Sequence, residues 1–331
     1  MNSRIVRFAA AALVMWPVVC HAQTAVSRAP AAAPRKQLDI GAATAPLSDA
    51  ERTDLDAAVK KHDYAAEKAV IDKARGEHQD SFDLLVMWGR LAYLEKQPKD
   101  AAEALERADK IKALSETDRL TLALAYEFSD KTDQSRAEMQ KLVKLAPANA
   151  QYPYQLGRLE AQSQRLEEAE KDFAQAVRID PTLVRVYEDL GKTQEALGRM
   201  EAARKTYEDG AAINRGLKSH WEWSPLDLGV VLLEANDLAG AEKLFREALQ
   251  YSPRSAWGHY YMGQLLQKRD RNADAIAEYK AAVVGDPRLK QAWYALGRLL
   301  KQQGDEAGSN RSLAIFKRLE EQENAAKGRK N

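Results

Sequence analysis

Small residues recur along the chain at an interval of 34 positions, and further residues of defined size follow each of them. The small residues are Gly89, Ala123, Gly157, Gly191 and, after one step of 38, Gly229, Gly263 and Gly297. A second small residue follows each one after 12 positions, at Ala101, Ser135, Ala169, Ala203, Ala241, Ala275 and Ser309. A large apolar residue comes four positions later, at Leu105, Met139, Phe173, Tyr207, Phe245, Tyr279 and Leu313. An interval of this length is typical of an array of stacked helix pairs.

Capping residues and prolines mark the expected ends of the helices. Ser48 and Glu51 have the capping-box spacing, in which each side chain accepts a hydrogen bond from a free amide at a helix start. Prolines stand where second helices are expected to end, at Pro147, Pro181, Pro253 and Pro287. Small side chains let two helices cross closely, and the large residue fills the space beside the crossing. The pattern therefore predicts an all-α chain.

Two repeats carry a clear family resemblance. They contain Leu156, Gly157, Ala169, Phe173, Ala176 and Pro181 in one copy and Trp293, Leu296 and Gly297 in another. This pattern resembles the tetratricopeptide repeat (TPR). The resemblance implies a right-handed α-solenoid of about eight repeats over residues 48–323, with starts at 48, 82, 116, 150, 184, 222, 256 and 290, and a polar tail over residues 324–331. The first and last copies depart from the pattern, as terminal repeats facing water commonly do, with Glu67 and Phe316 at otherwise small positions.

One break interrupts the period between Ile213 and Pro225, where the chain carries four additional residues. One interpretation is a longer loop whose tryptophans cover the joint between two repeats. The other is a local change of superhelical pitch that presents Trp221 or Trp223 to a ligand. The sequence favours the first interpretation, because buried aromatic residues are ordinary.

The chain begins with features of a secretory signal peptide. Arg4 and Arg7 precede an apolar stretch over residues 8–19, and small residues come before Gln23. We expect residues 1–22 to be removed and the protein to be periplasmic or secreted. The alternative is an outer-membrane lipoprotein with a lipid on Cys20, although Val19 stands where such signals have a small residue. Residues 23–47 are rich in Ala and Pro and are expected to form a disordered linker.

Composition gives no sign of chemistry or of a charge-driven partner. The 50 Lys and Arg residues nearly balance the 49 Asp and Glu residues, which argues against a dedicated nucleic-acid binder. The four histidines after residue 22 lack a metal-binding spacing, and no phosphate loop or serine nucleophile motif is present. We therefore expect no enzymatic activity, no cofactor and no metal.

The resemblance implies that positions two, five, nine and twelve of each first helix line a concave groove. Position nine is cationic in four of seven repeats, at Arg90, Arg158, Lys192 and Arg298. Aromatic residues occupy nearby groove positions, at Tyr93, Tyr154, Trp223, Trp257, Tyr260 and Tyr294. Such a lining suits an extended protein or peptide partner with acidic and apolar residues. The alternative is that the cationic residues pair with carboxylates of neighbouring repeats and that the aromatic residues are partly core.

The sequence thus predicts an exported scaffold or adaptor that binds protein or peptide segments in its groove and supports assembly of a cell-envelope complex. No transmembrane span is expected. Two alternatives stay open: an outer-membrane-anchored TPR lipoprotein, or a helper of polysaccharide export or secretion machinery. An enzyme is the least favoured alternative.

Overall fold

A computed structural model describes residues 46–61, 63–78 and 81–328, and sixteen helices form the regular secondary structure of this part. The first helices of the pairs are α1 (Asp49–Lys61), α3 (Phe82–Leu94), α5 (Glu116–Glu127), α7 (Gln151–Gln162), α9 (Val184–Ala196), α11 (Trp223–Glu234), α13 (Ala256–Lys268) and α15 (Lys290–Gln302). The second helices are α2 (Tyr64–Glu77), α4 (Pro98–Ile111), α6 (Thr132–Leu145), α8 (Leu166–Ile179), α10 (Met200–Gly216), α12 (Leu238–Tyr251), α14 (Asn272–Gly285) and α16 (Glu306–Gly328). The predicted all-α solenoid of helix pairs is confirmed.

Polar side chains begin several of these helices. Ser48 and Glu51 form the predicted capping box, since the Ser48 amide donates to Glu51 Oε2 at 3.0 Å and the Glu51 amide donates to Ser48 Oγ at 3.4 Å. Asp237 Oδ1 accepts from the Gly240 amide at 2.9 Å at the start of α12. These bonds satisfy amides that have no partner within the helix itself.

The predicted close crossing is present in the six pairs whose first helix carries a glycine at the crossing. A Cβ atom added to Gly157 would lie 2.7 Å from Phe173 Cδ1, and one added to Gly263 would lie 2.6 Å from Tyr279 Cε1. Both rings are almost fully buried. The glycine therefore provides the space in which the aromatic ring of the second helix packs.

A turn of constant geometry joins the two helices of seven pairs. One residue in each of these turns has a left-handed backbone, with φ between 57° and 82°. These residues are Lys96, Asp130, Gln164, Gly198, Asn236, Asp270 and Gly304. The repeated turn brings each second helix back along its first helix in the same way, so that the pairs are alike.

The pairs stack in chain order, and the first helices approach one another across neighbouring pairs. Helix α3 contacts α5, α7 contacts α9, α9 contacts α11, and α11 contacts α13. Because the first helices are the ones in mutual contact, they lie on the inner side of the array. We use the name inner surface for the face formed by α3, α5, α7, α9, α11, α13 and α15.

The four additional residues lengthen α10 and form a short loop before α11. Asn214 is fully buried and holds this loop, because its Oδ1 accepts from the Trp221 amide at 2.7 Å and its Nδ2 donates to the Trp221 carbonyl at 2.9 Å. Trp221 Nε1 in turn donates to Glu188 Oε2 of α9 at 3.0 Å. Trp221 therefore covers the joint, as the first interpretation of the insertion predicts, whereas Trp223 lies at the start of α11 on the inner surface.

The part of the chain that the structure describes begins at residue 46 and ends at residue 328. The predicted signal peptide, residues 1–22, lies outside the described residues, as does the predicted linker up to residue 45. Leu47, at the end of that linker, is buried against Leu55 and Ile71. At the other end, α16 continues to Gly328 and includes the start of the predicted polar tail.

Within the described part of the chain, no helix has both the length and the apolar character needed to cross a bilayer.

Candidate functional site

All ten residues predicted to line the groove lie on first helices. Their positions are Arg90 and Tyr93 on α3, Tyr154 and Arg158 on α7, Lys192 on α9, Trp223 on α11, Trp257 and Tyr260 on α13, and Tyr294 and Arg298 on α15. They therefore belong to the helices that form the inner surface, but their contacts differ from one residue to the next.

Arg90 is held by a carboxylate of the next pair. Its Nε lies 2.6 Å from Asp118 Oδ1 and its second terminal nitrogen lies 3.0 Å from Asp118 Oδ2. Asp118 is itself buried, and its Oδ2 also accepts from Ser115 Oγ at 2.6 Å. This two-point pair matches the alternative interpretation of the sequence, in which a cationic residue bonds to a neighbouring repeat.

Tyr93 and Phe128 form an aromatic pair in the first half of the inner surface, with ring centroids 6.2 Å apart. Burial raises the pKa of the Tyr93 hydroxyl to about 12, so the ring stays neutral at any physiological pH. Phe128 is 52% exposed, although it is a large apolar residue. The sequence reasoning did not include Phe128, because it follows the four helix positions that were considered.

Tyr154 connects α7 to α9, and Arg158 lies beside its ring. Tyr154 Oη donates to Asp189 Oδ2 at 2.9 Å, and the Arg158 guanidinium lies 6.0 Å from the centre of the Tyr154 ring. Arg158 also donates to Gln155 Oε1 at 3.2 Å. Burial and the negative charge of Glu188 raise the pKa of Asp189 to about 6.

Lys192 lies at the centre of the inner surface among carboxylates. Its Nζ is 2.5 Å from Glu188 Oε1 and 3.8 Å from Asp227 Oδ1 of the next pair, and it lies 5.4 Å from the centre of the Trp223 ring. Burial lowers the pKa of Lys192, but the charges of Asp227 and Glu188 outweigh it and raise the pKa overall. The lysine is therefore a charged centre that is already paired.

The rings of Trp223, Trp257, Tyr260 and Tyr261 are in mutual contact, and we call them the aromatic cluster. Trp257 lies 6.4 Å from Trp223, 5.7 Å from Tyr260 with the rings perpendicular, and 5.7 Å from Tyr261 with the rings stacked. All four side chains are partly exposed, so they present aromatic area on the inner surface while packing against the core below. Tyr261 was missed by the sequence reasoning, because it is one residue beyond the groove position at Tyr260.

The last pair presents a second, smaller aromatic contact. The Tyr294 and Phe316 rings are 5.1 Å apart, and the Arg298 guanidinium lies 5.7 Å from the centre of the Tyr294 ring. Tyr294 is 43% exposed and Arg298 is exposed as well. Arg298 and Arg158 thus each lie beside a tyrosine ring, whereas Arg90 and Lys192 are paired with carboxylates.

Five carboxylates surround the centre of the inner surface, and we call them the carboxylate cluster: Glu188, Asp189, Glu195, Asp227 and Glu234. The groove lining predicted from the sequence contained cationic and aromatic residues but no acidic residue. These acidic residues come from other positions of α9 and α11, and only the packing of the two helices brings them together. The sequence pattern of a single helix therefore does not reveal this cluster.

The described residues contain no group of three or more His, Cys, Asp or Glu side chains arranged to hold a metal ion. What the inner surface offers chemically is aromatic area, paired cations and partly buried carboxylates. This arrangement suits recognition of another chain.

Comparisons with known proteins agree with this architecture. Family models of the tetratricopeptide repeat match residues 120–184, 184–216 and 232–299. The fold is similar to a solved structure of the C-terminal part of a TPR repeat-containing protein from Cytophaga hutchinsonii, with a TM-score of 0.58 and 14% identity over 73% of this chain and 98% of that chain. It is also similar to Pseudomonas aeruginosa pilF, with a TM-score of 0.50 and 17% identity over 64% of this chain and 94% of that chain. No curated protein sequence matches the chain.

Proposed function

We propose that this tetratricopeptide repeat protein is a scaffold that binds an extended segment of another protein along its inner surface, without catalysing a reaction. The observation that carries the proposal is the aromatic cluster, because four neighbouring rings remain partly exposed on the face where the first helices meet. Rigid aromatic side chains supply a large contact area at a small cost in conformational entropy.

The solenoid supports such binding by fixing the rings before a partner arrives. Trp257 contacts Trp223 of α11 as well as Tyr260 and Tyr261 of its own helix, and the cluster packs on buried residues such as Met262. An extended segment bound there loses its own freedom, but the surface loses little, since its side chains are already ordered.

We further propose that the protein acts in the cell envelope, where it supports assembly of a complex. The basis is the sequence of residues 1–22, with its basic start and apolar stretch. Mass spectrometry of the mature N-terminus tests this: a peptide that begins at Gln23 agrees with a cleaved signal. A lipid-modified Cys20 would instead assign the protein to the outer membrane as a lipoprotein.

Site-specific photo-crosslinking tests the position of the partner. A photoreactive phenylalanine derivative is introduced in place of Trp257 on the inner surface and, as a matched control, in place of Val284 on α14, a residue that is 81% exposed. We expect the derivative at position 257 to capture a partner in the native cell and the one at 284 to capture none. Equal capture at both positions would contradict binding along the inner surface.

A second variant measures the contribution of the ring itself. Trp257→Ala removes the residue that joins α11 to α13 within the aromatic cluster, and we expect it to weaken the affinity of the captured partner, measured with the purified proteins, about tenfold, as expected for a central aromatic contact. Circular dichroism must show unchanged helix content, so that the loss reports on binding.

A further inference from the structure

The aromatic cluster lies beside the carboxylate cluster, and the two overlap at α11. Trp223 and Asp227 are four residues apart on this helix and both lie within reach of Lys192 of α9, whose Nζ is 5.4 Å from the Trp223 ring centre and 3.8 Å from Asp227 Oδ1. Lys192 thereby shows how an ammonium group is held here, over a tryptophan face and next to a carboxylate.

The carboxylates at this place outnumber the cations. Glu188, Asp189 and Glu195 come from α9, and Asp227 and Glu234 come from α11. The neighbouring cations are Lys192, Arg158 and Lys268 of α13, whose Nζ donates to the Leu233 carbonyl oxygen beside Glu234 at 3.0 Å. Lys192 is already paired with Glu188 at 2.5 Å and with Asp227 at 3.8 Å. Above the raised pKa values of these carboxyls, negative charge therefore exceeds positive charge at the centre of the inner surface.

This excess negative charge acts on carboxyl groups that are partly buried. Asp227 is 13% exposed, and its Oδ2 is buried with no hydrogen-bond partner among the described residues. Burial raises the pKa of Asp227, although Lys192 opposes this effect, and burial and Glu234 raise the pKa of Glu195. Charged carboxylates in such surroundings gain when another cation approaches.

We infer that this part of the inner surface binds a lysine or arginine side chain of an extended partner segment, with the aromatic cluster holding the neighbouring apolar residues. The inference rests on the proposed function and adds that the bound segment of the partner is basic. It differs from the acidic partner that the cationic residues at position nine predicted, because Arg90 is taken up by Asp118 and Lys192 by Glu188 and Asp227.

Charge complementarity selects this occupant. An acidic segment would bring like charge toward Asp227 and Glu234, and an uncharged one would leave the surplus uncompensated. A basic side chain would find carboxylate oxygens together with the faces of Trp223 and Trp257, which attract cations.

Three fluorescein-labelled peptides test the inference on the purified protein. Each is a ten-residue peptide of Pro, Ala and Leu that carries three lysines, three acetyl-lysines or three glutamates at the same places, and binding is followed by fluorescence anisotropy. We expect the lysine peptide to bind at least tenfold more tightly than the other two, and its affinity to fall with added salt.

Carboxylate variants locate the interaction. Asp227→Asn and Glu234→Gln are expected to weaken binding of the lysine peptide about fivefold each, as for single partly screened charge pairs, and to leave the acetyl-lysine peptide unaffected. Glu201→Gln, an exposed carboxylate on the second helix α10, is the matched control and should change nothing.

The outcomes separate this inference from the proposed function. If all three peptides bind equally and Trp257→Ala weakens each of them, the preference for a cation is refuted while binding at the inner surface stands. If Trp257→Ala and Asp227→Asn change no binding at all and position 257 captures no partner, both proposals fail. Absence of lysine-peptide binding up to millimolar concentration also overturns the inference.

A deletion identifies the source of the basic side chain. Residues 23–45 of this chain contain Arg28, Arg35 and Lys36. If the lysine peptide binds only after these residues are removed, the surface belongs to this chain's own segment and the assignment to a partner is overturned. Equal binding with and without them supports the partner.

Discussion

Arg90 and Asp118 join α3 to α5 by a two-point ion pair, with 2.6 Å between Nε and Oδ1 and 3.0 Å between the terminal nitrogen and Oδ2. The carboxylate is 4% exposed and the guanidinium 17% exposed. A pair of this kind, largely removed from water, makes each partner depend on the other, since either charge alone would remain buried without compensation.

Replacing Arg90 therefore destabilises the array. Arg90→Leu leaves Asp118 charged and buried, and we expect the free energy of unfolding to fall by about 3 kcal/mol. Urea unfolding followed by circular dichroism measures the change. The double variant Arg90→Leu with Asp118→Leu should recover part of the loss, because it removes the isolated charge. Equal stability of Arg90→Leu and the parent would contradict the structural role of the pair.

The helix pairs could be predicted from the sequence because the residues that make one contact recur in several repeats. Gly157 packs against Phe173, Ala169 lies in the same buried cluster as Phe173, and corresponding residues recur at the same interval along the chain. A pattern that is repeated at fixed spacing identifies residues that share one packing role, so the fold class follows from spacing and side-chain size alone.

The surroundings of the inner surface residues could not be predicted in the same way. Lys192 and Asp227 are 35 positions apart, and their distance depends on how α9 and α11 pack across the lengthened α10 and its loop. Asn214, which fixes that loop, lies outside the repeat pattern. Side-chain partners between neighbouring pairs are set by local packing. This packing varies from pair to pair although the spacing of the repeat is kept.

A methyl group at a helix crossing tests the packing within a pair. Gly157→Ala places a Cβ 2.7 Å from Phe173 Cδ1, and the buried ring must move. We expect a loss of about 1–3 kcal/mol in the free energy of unfolding, the usual cost of overpacking a core. Gly216→Ala on α10 is the control: no atom lies within 4 Å of the added Cβ, so stability should be unchanged or slightly higher.

Asn214 is expected to be essential for the loop before α11. Asn214→Ala removes both hydrogen bonds to the Trp221 backbone and leaves that amide without its side-chain acceptor. We expect a loss of about 2 kcal/mol in stability, since each buried polar group left unpaired costs about 1–3 kcal/mol. Limited proteolysis should cut within residues 217–222 of the variant faster than in the parent. Lys218→Ala, an exposed change in the same loop, should leave both readouts unaltered.

Asp172 of α8 lowers the stability of the folded protein as the pH rises. Burial, together with the charges of Glu160 and Glu168, raises the pKa of this carboxyl to about 6. The folded protein thus keeps a proton that the unfolded chain releases as the pH rises above about 4. Stability from this group is therefore highest at low pH and is lost as the pH rises through 6.

Asp172→Asn replaces the carboxyl with a neutral group of the same shape, so it removes the cost of charging at neutral pH. We expect the variant to be more stable than the parent by about 1 kcal/mol at pH 7.5, a value reduced by the partial exposure of the side chain to water. At pH 4 the folded parent already carries the proton and about half of the unfolded chains do as well, so the difference should be small. Thermal unfolding at both pH values measures this, with Asp54→Asn, an exposed change in the middle of α1, as the control. A gain of equal size at pH 4 and pH 7.5 would show that packing, rather than the charge of Asp172, is responsible.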